Sequence, residues 1–328
     1  MLSKRLLWID WMKAIGMYFI IAGHISPLGH EYIYVFSVPL FFVISGFLCK
    51  YENNNKIFWV KLYRNLFLPC IIICTLCSCY DLLTLYRLGS FQWFYIPQRI
   101  LNCVLGMQGR DSDAGGLGLC WFIYTLIVCK ILYQYTFKSM PVQIFVLICC
   151  FITAYLIKYL NYNIYNALIN TDLAFPYFVL GRGFRVFHDR YGFSINRKIL
   201  LCLLIGGLFL IIMIKILNGT PWMFKSIYGN DLLLFYIGGI SGTMAVYSIS
   251  ILLPTTKVSY LFILNKGLIL ILGFQWYALK FYYILPDSCR NVFTDYLTAL
   301  LILLAFIPII KLTEKFFPII LGDRVSIS

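Results

Sequence analysis

The sequence predicts an all-α fold, specifically a polytopic integral membrane bundle of about ten transmembrane helices. Hydrophobic residues make up 61% of the 328 positions and charged residues only 12%, whereas a soluble domain is about half apolar and about a quarter charged. Apolar runs also recur along the whole chain, and a helix of about 20 residues suffices to cross about 30 Å of hydrocarbon. We therefore expect one membrane-embedded domain over residues 1–328.

Ten apolar runs of spanning length are separated by short stretches that contain charged residues, Asn, Gly or Pro. They cover residues 6–27, 32–49, 65–83, 117–136, 142–160, 171–187, 199–217, 231–253, 258–282 and 292–312. An eleventh run, residues 93–107, is shorter and contains Pro97 and Arg99. It could be re-entrant or interfacial, and we do not count it as a span.

The distribution of Lys and Arg predicts the orientation of the bundle. Cytoplasmic loops of membrane proteins carry an excess of these residues. With ten spans, the dense cluster from Arg182 to Lys198 falls on the cytoplasmic side, and an eleventh span over 93–107 would move it outside. We therefore expect both termini to be cytoplasmic. The net charge of +14 is then explained by topology and by contact with anionic lipid headgroups of the bilayer, so no nucleic-acid partner is expected.

The twelve cysteines do not predict a metal site or a disulfide framework. Several lie inside apolar runs, among them Cys74, Cys77 and Cys79, as expected of small buried hydrophobic residues. No neighbouring residue supplies a fourth ligand to these three cysteines, so a zinc site is not expected. We expect no bound metal.

The first apolar run contains three ionisable residues, Asp10, Lys13 and His24. Charged groups inside a membrane are costly, so they are functional candidates by default. Eleven residues are close to three helical turns, which places Lys13 and His24 on one face about 16 Å apart. Asp10 lies within ion-pairing reach of Lys13. Alternatively, Asp10 and Lys13 only neutralise each other near the cytoplasmic interface, and His24 is a polar residue at the other end.

Two stretches resemble the signature of a known family. They are W-I-D-W-M-K-A-I-G-M-Y-F-I-I-A-G-H at 8–24 and P-L-F-F-V-I-S-G-F-L at 39–48. Together they resemble the N-terminal signature of the acyltransferase 3 family of integral membrane O-acyltransferases, in the branch similar to fucose 4-O-acetylase. Members commonly have a basic residue eleven positions before a histidine, the places that Lys13 and His24 fill. The basic residues Lys61 and Arg64 before Pro69 also resemble the family pattern.

The resemblance implies transfer of an acyl group, usually acetyl from acetyl-CoA, to a hydroxyl of a cell-surface or exported glycan or lipid-linked sugar. It suggests a location in the bacterial inner (cytoplasmic) membrane. His24 would be the catalytic base or the acyl acceptor, a role that suits an imidazole near neutral pH, while Lys13 and Asp10 would assist from the same helix face. Arg64 and Lys61 would bind the CoA phosphates, unless these cations only fix the topology. Ser45 would line the donor tunnel, although small residues more often permit close helix packing.

One departure from the family pattern leaves other functions open. Related sequences often have a histidine where this chain has Gln275, which can form hydrogen bonds but cannot replace an imidazole base. One alternative is a secondary transporter or exporter of an envelope precursor, because ten spans with intramembrane charges are also typical of carriers. Another is a non-enzymatic partner in an envelope assembly complex.

Overall fold

The computed structural model describes residues 6–105, 118–160, 168–192, 195–253, 258–284, 286 and 289–322. This part of the chain contains fourteen α-helices, so the predicted all-α class is confirmed for it. The helices are α1 (Leu7–Ile25), α2 (His30–Tyr34), α3 (Ser37–Leu48), α4 (Asn55–Leu62), α5 (Leu68–Arg87), α6 (Tyr95–Leu105), α7 (Gly118–Thr136), α8 (Met140–Tyr159), α9 (Thr171–Tyr191), α10 (Arg197–Asn218), α11 (Leu232–Leu252), α12 (Ser259–Lys266), α13 (Leu268–Tyr282) and α14 (Val292–Phe316). A π-helix (Tyr63–Phe67) joins α4 to α5.

Six helical segments of the described chain are long and apolar enough to cross a membrane, or seven if the bent pair α12 and α13 forms one span. The protein is therefore a multi-pass membrane protein. The other three predicted spans correspond to α1, α7 and α9. Helices α1 and α9 contain charged residues that lower their mean hydropathy, including Asp10, Lys13 and Arg182. The count of ten remains a prediction.

Helix α6 is the segment that the sequence left undecided. It has 11 residues, about half the length that a spanning helix requires. It packs beside α5, where Arg99 donates a hydrogen bond of 3.0 Å to Asp81, and the Arg99 side chain is only 4% exposed. A buried arginine requires such a partner. The segment therefore forms a short helix docked on the bundle, and residues 106 and 107 lie outside the described chain.

The start of α1 and the end of α14 lie at the same end of the bundle. The Asn265 amide at the end of α12 donates a hydrogen bond of 3.1 Å to the Asp10 carbonyl of α1. The next residue, Lys266, forms an ion pair with Glu314 in the last turns of α14. The first turn of α1 and the last turns of α14 thus lie on one side of the bundle. The termini themselves, residues 1–5 and 323–328, lie outside the described residues, and their cytoplasmic position remains a prediction.

The ends of α3 and α9 complete this end of the bundle. The Trp8 ring of α1 lies 5.2 Å from the Phe47 ring and 6.0 Å from the His188 ring. Arg182 of α9 donates a hydrogen bond of 3.3 Å to the Cys49 carbonyl, just beyond α3. We call this side the basic end, because it carries many of the cationic side chains: Lys50, Lys56, Lys61, Arg64, Lys138, Arg182 and Arg185.

Two glycines allow α3 and α9 to approach until their backbones touch. A Cβ atom on Gly46 would lie 1.8 Å from the Phe178 carbonyl oxygen, and one on Gly181 would lie 2.0 Å from the Val43 carbonyl oxygen. No larger residue fits at either position, because real contacts of this kind exceed 3 Å. The S-G-F motif of α3 therefore has a packing role at Gly46, as small residues commonly do in membrane helices.

Candidate active site

Helix α1 is uninterrupted from Leu7 to Ile25, and it carries all three ionisable residues of the first apolar run. Asp10 and Lys13 lie near the basic end, while His24 lies in the last turn at the opposite end. At 1.5 Å per residue, Lys13 and His24 are about 16 Å apart along the axis. Asp10 is buried and Lys13 is half-buried, and each interacts with other groups of the chain.

The last turn of α1 is held in place by two tyrosines. Ser26 adopts the left-handed conformation with φ of 59° and ends the helix. The final carbonyls of a helix lack partners within it, and here the Tyr34 hydroxyl donates to the Gly23 carbonyl at 2.8 Å. The Tyr283 hydroxyl donates to the His24 carbonyl at 3.3 Å. These bonds fix the backbone that carries the histidine.

The imidazole of His24 lies against the indole of Trp276 on α13. The two ring centroids are 4.6 Å apart, and the ring planes are inclined by 47°. Trp276 is 46% exposed, so the indole also presents surface beyond the histidine. This contact could not be predicted from the sequence, because Trp276 lies 252 positions beyond His24 and aromatic residues occur throughout the chain.

A sharp bend between α12 and α13 brings α13 beside α1. Helices α12 and α13 are bent by 82° around Gly267, whose missing side chain leaves room for Ile310 of α14. Broken helices place backbone and polar side chains at membrane depth where they can line a site. Before the break, Asn265 contacts α1 beside Asp10, and beyond it Trp276 contacts His24. The pair α12–α13 therefore follows α1 from the basic end to the histidine.

Two buried side-chain oxygens along α12–α13 have no hydrogen-bond partner within the described part of the chain. The Asn265 amide nitrogen donates to the Asp10 and Leu261 carbonyls, which fixes the orientation of the amide and leaves its Oδ1 atom without a partner. Gln275 is 3% exposed, and its Oε1 atom also lacks a partner. Buried polar atoms are normally hydrogen-bonded. These two atoms are therefore candidates for contact with a bound molecule.

Lys61 and Arg64 lie at the basic end, far along the bundle from His24. Lys61 forms an ion pair with the Glu52 carboxylate at 2.6 Å. The Gln134 side-chain amide donates a hydrogen bond of 2.7 Å to the Glu52 backbone carbonyl. Arg64 is exposed on the π-helix Tyr63–Phe67, a kind of element frequently found at functional sites. Of the two cations, Arg64 is thus the more accessible to an anion.

Ser45 is half-buried on α3, next to the glycine that contacts α9. Cavities of about 540 and 590 Å³ lie elsewhere, the first between α7, α8 and α9 and the second beside Trp8, Met12 and Phe47. Within the described chain, neither is lined by Lys13, His24 or Arg64. The described residues also contain no group of three or more His, Cys, Asp or Glu side chains that could hold a metal ion.

Comparison with known proteins identifies a family for this chain. A family model described as an acyltransferase domain matches residues 6–247, which is most of the chain. The match includes Lys13, His24, Lys61 and Arg64, and it ends before the broken pair α12–α13. No curated protein and no solved structure matches the chain significantly.

Proposed function

The chain belongs to the acyltransferase 3 family, and we propose that it is a membrane-bound O-acyltransferase that moves an acetyl group from acetyl-CoA to a hydroxyl of a cell-surface or exported glycan. The observation that supports this best is the contact of His24 with Trp276 at one end of α1, with Lys13 on the same helix nearer the basic end. This arrangement offers a base for the acceptor and a cation along the path of the donor.

In the proposed reaction, the acceptor hydroxyl attacks the carbonyl carbon of the thioester. A base must remove the hydroxyl proton as the new C–O bond forms, and His24 takes it. The C–S bond breaks, and CoA leaves as a thiolate that recovers the proton from the imidazolium. Trp276 restricts the rotation of the imidazole from one side, and the capped last turn of α1 holds its backbone.

The described residues fit a donor that lies between α1 and α12–α13. CoA carries a pantetheine arm with two amide N–H groups, and the Asn265 Oδ1 and Gln275 Oε1 atoms are buried acceptors without partners among the described residues. We assign them to these N–H groups. Lys13 would orient the donor or offset negative charge on the thioester oxygen, with Asp10 beside it.

The phosphates of CoA would remain at the basic end, which we assign to the cytoplasm. Arginine binds phosphate oxygens through two parallel hydrogen bonds, and the Arg64 side chain is exposed there. Lys61 would add positive charge, although Glu52 already neutralises part of it. The acceptor would then enter from the opposite side, where His24 lies, at the outer face of a bacterial inner membrane.

The most informative experiment compares surface glycans from cells with and without the gene. Mass spectrometry would detect the acetyl mass increment on a sugar, and loss of that increment on deletion would support the proposal and identify the acceptor. Identical O-acetylation in both strains, with the protein present in the membrane of the parent, would reject it.

A second experiment separates two routes for the acyl group. The purified protein is mixed with labelled acetyl-CoA without acceptor, and the label is mapped on the chain. Label on His24 would indicate an acyl-enzyme intermediate, whereas transfer in a single turnover without labelled protein would indicate direct attack by the acceptor.

The alternative of a secondary transporter is favoured by one observation, the break between α12 and α13. Transporters commonly have discontinuous helices in corresponding positions of two structural repeats. The described residues contain one bent pair of this kind, without a counterpart in the other half. The family match favours acyl transfer over transport.

A further inference from the structure

A second buried acid lies away from the helix that carries the histidine. Asp172 occupies the first turn of α9 and is 5% exposed. Its Oδ1 atom accepts a hydrogen bond of 2.6 Å from the Leu173 backbone N–H. Its Oδ2 atom is buried and has no hydrogen-bond partner among the residues that the structure describes. Burying a carboxyl group without partners is costly, so such groups in membranes usually face a polar ligand or a cavity.

Asp172 lines a cavity of about 540 Å³ between α7, α8 and α9, a volume within the usual range for ligand sites. We call it the Asp172 groove, and its walls include Val146, Cys150, Leu156 and Ile157 of α8. The walls are almost entirely apolar. Among its described lining residues, Asp172 is the one carboxylate, and none is a Lys, Arg or His. The groove therefore combines a long apolar channel with one acidic group.

The acid lies at the headgroup end of this groove. Helix α8 ends at Tyr159 and α9 begins at Thr171, so both helices reach the surface of the bundle there, opposite the basic end. The lining residues of α8 extend from Ile157 back to Val146, about 16 Å at 1.5 Å per residue. One leaflet of the hydrocarbon core is about 15 Å thick. The groove is thus long enough for a lipid acyl chain to lie along it.

We propose that the Asp172 groove binds a phospholipid with a primary ammonium headgroup, whose ammonium donates a hydrogen bond to the Asp172 Oδ2 atom while an acyl chain lies along α8. Ammonium–carboxylate hydrogen bonds are among the stronger ones, and this one would satisfy the unpaired oxygen. The chain as a whole has a net charge of +14 and attracts anionic lipids elsewhere. The Asp172 groove, by contrast, offers a carboxylate to the ammonium of a zwitterionic headgroup.

This lipid site is separate from the proposed reaction. Helix α9 packs against α3, α7 and α8, whereas His24 contacts α13. Lipid binding at Asp172 therefore does not depend on acyl transfer.

The test compares phosphatidylethanolamine with phosphatidylcholine of identical acyl chains. Both lipids carry a positive headgroup nitrogen, but only the ammonium of phosphatidylethanolamine donates hydrogen bonds. Native mass spectrometry of the full-length protein, mixed with equal amounts of both lipids in detergent, measures which one stays bound. We expect about a fivefold preference for phosphatidylethanolamine, which Asp172→Asn should abolish and Asp189→Asn, at the other end of the same helix, should leave intact.

A second variant keeps the test decisive if Asp172→Asn fails to fold. Thr153 lines the Asp172 groove and is exposed on α8. Thr153→Trp should therefore fill the Asp172 groove and remove the bound lipid while Asp172 is unchanged. Equal retention of the two lipids by the wild-type protein would overturn the proposal. So would an unchanged preference in both Asp172→Asn and Thr153→Trp.

Discussion

The imidazole of His24 and the indole of Trp276 are in contact, with ring centroids 4.6 Å apart. This contact joins the last turn of α1 to α13, the helix that follows the 82° bend after α12. It places a large, half-exposed aromatic surface beside the residue that we assign as the base. The family match ends at residue 247, so the indole comes from the part of the chain outside it.

Replacing Trp276 should slow acyl transfer without unfolding the protein. In Trp276→Ala the imidazole loses the surface that restricts its rotation, and small losses of orientation lower rates by one to two orders of magnitude. We expect kcat to fall about tenfold, with Trp276→Phe recovering much of it. Trp93→Ala, which removes a tryptophan that is 79% exposed, serves as the control. Equal rates in Trp276→Ala and Trp93→Ala would show that the contact is incidental.

Replacing Gln275 should separate donor binding from stability. The Oε1 atom of Gln275 is buried without a partner, so Gln275→Leu should leave the Tm unchanged or raise it, because an unsatisfied polar group is removed. If that atom binds the donor, the KM for acetyl-CoA should rise about tenfold, which corresponds to one lost hydrogen bond. Gln98→Leu on α6 provides the control. A higher Tm with an unchanged KM would show that Gln275 does not bind the donor.

The contact between α3 and α9 should be sensitive to a single methyl group. In Gly46→Ala the new Cβ would meet the Phe178 carbonyl, and because both atoms belong to backbones the helices must separate. Overpacking of this kind costs about 1–3 kcal/mol, which we expect as a Tm several degrees lower. Gly183→Ala is the matched control on α9, since a Cβ there meets nothing within 4 Å. The same Tm in both variants would contradict the packing account.

The apolar runs predicted where many helices lie, because the length and hydropathy of a membrane helix are local properties of the sequence. The predicted span 231–253 corresponds to α11, Leu232–Leu252. The runs did not predict breaks inside a span. Residues 258–282 are apolar throughout, yet the chain bends at Gly267, where Ile310 packs against the glycine. That bend depends on a distant helix.

The candidate site could be predicted only in part, for the same reason. Helical periodicity placed Asp10, Lys13 and His24 on one helix, and the structure has them on α1. Periodicity cannot show which helix lies beside them, because lipid-facing and protein-facing surfaces are both apolar. The hydrogen bond from the Asn265 amide to the Asp10 carbonyl joins residues 255 positions apart, and it could be seen only in the fold. Lys61 was expected to face CoA, but its ion pair with Glu52 depends on a loop whose path the sequence does not specify.

If His24 is the catalytic base, as we propose, acetyl transfer by the purified protein in proteoliposomes depends on its imidazole. Labelled acetyl-CoA is supplied with the glycan acceptor, and the rate of His24→Ala is compared with those of the wild type and His30→Ala, a histidine change at the same end of the bundle. General base catalysis contributes about 10²- to 10⁴-fold. We expect His24→Ala to lose at least about a hundredfold in rate with an unchanged Tm, while His30→Ala stays active. Full activity of His24→Ala would show that His24 is not the base.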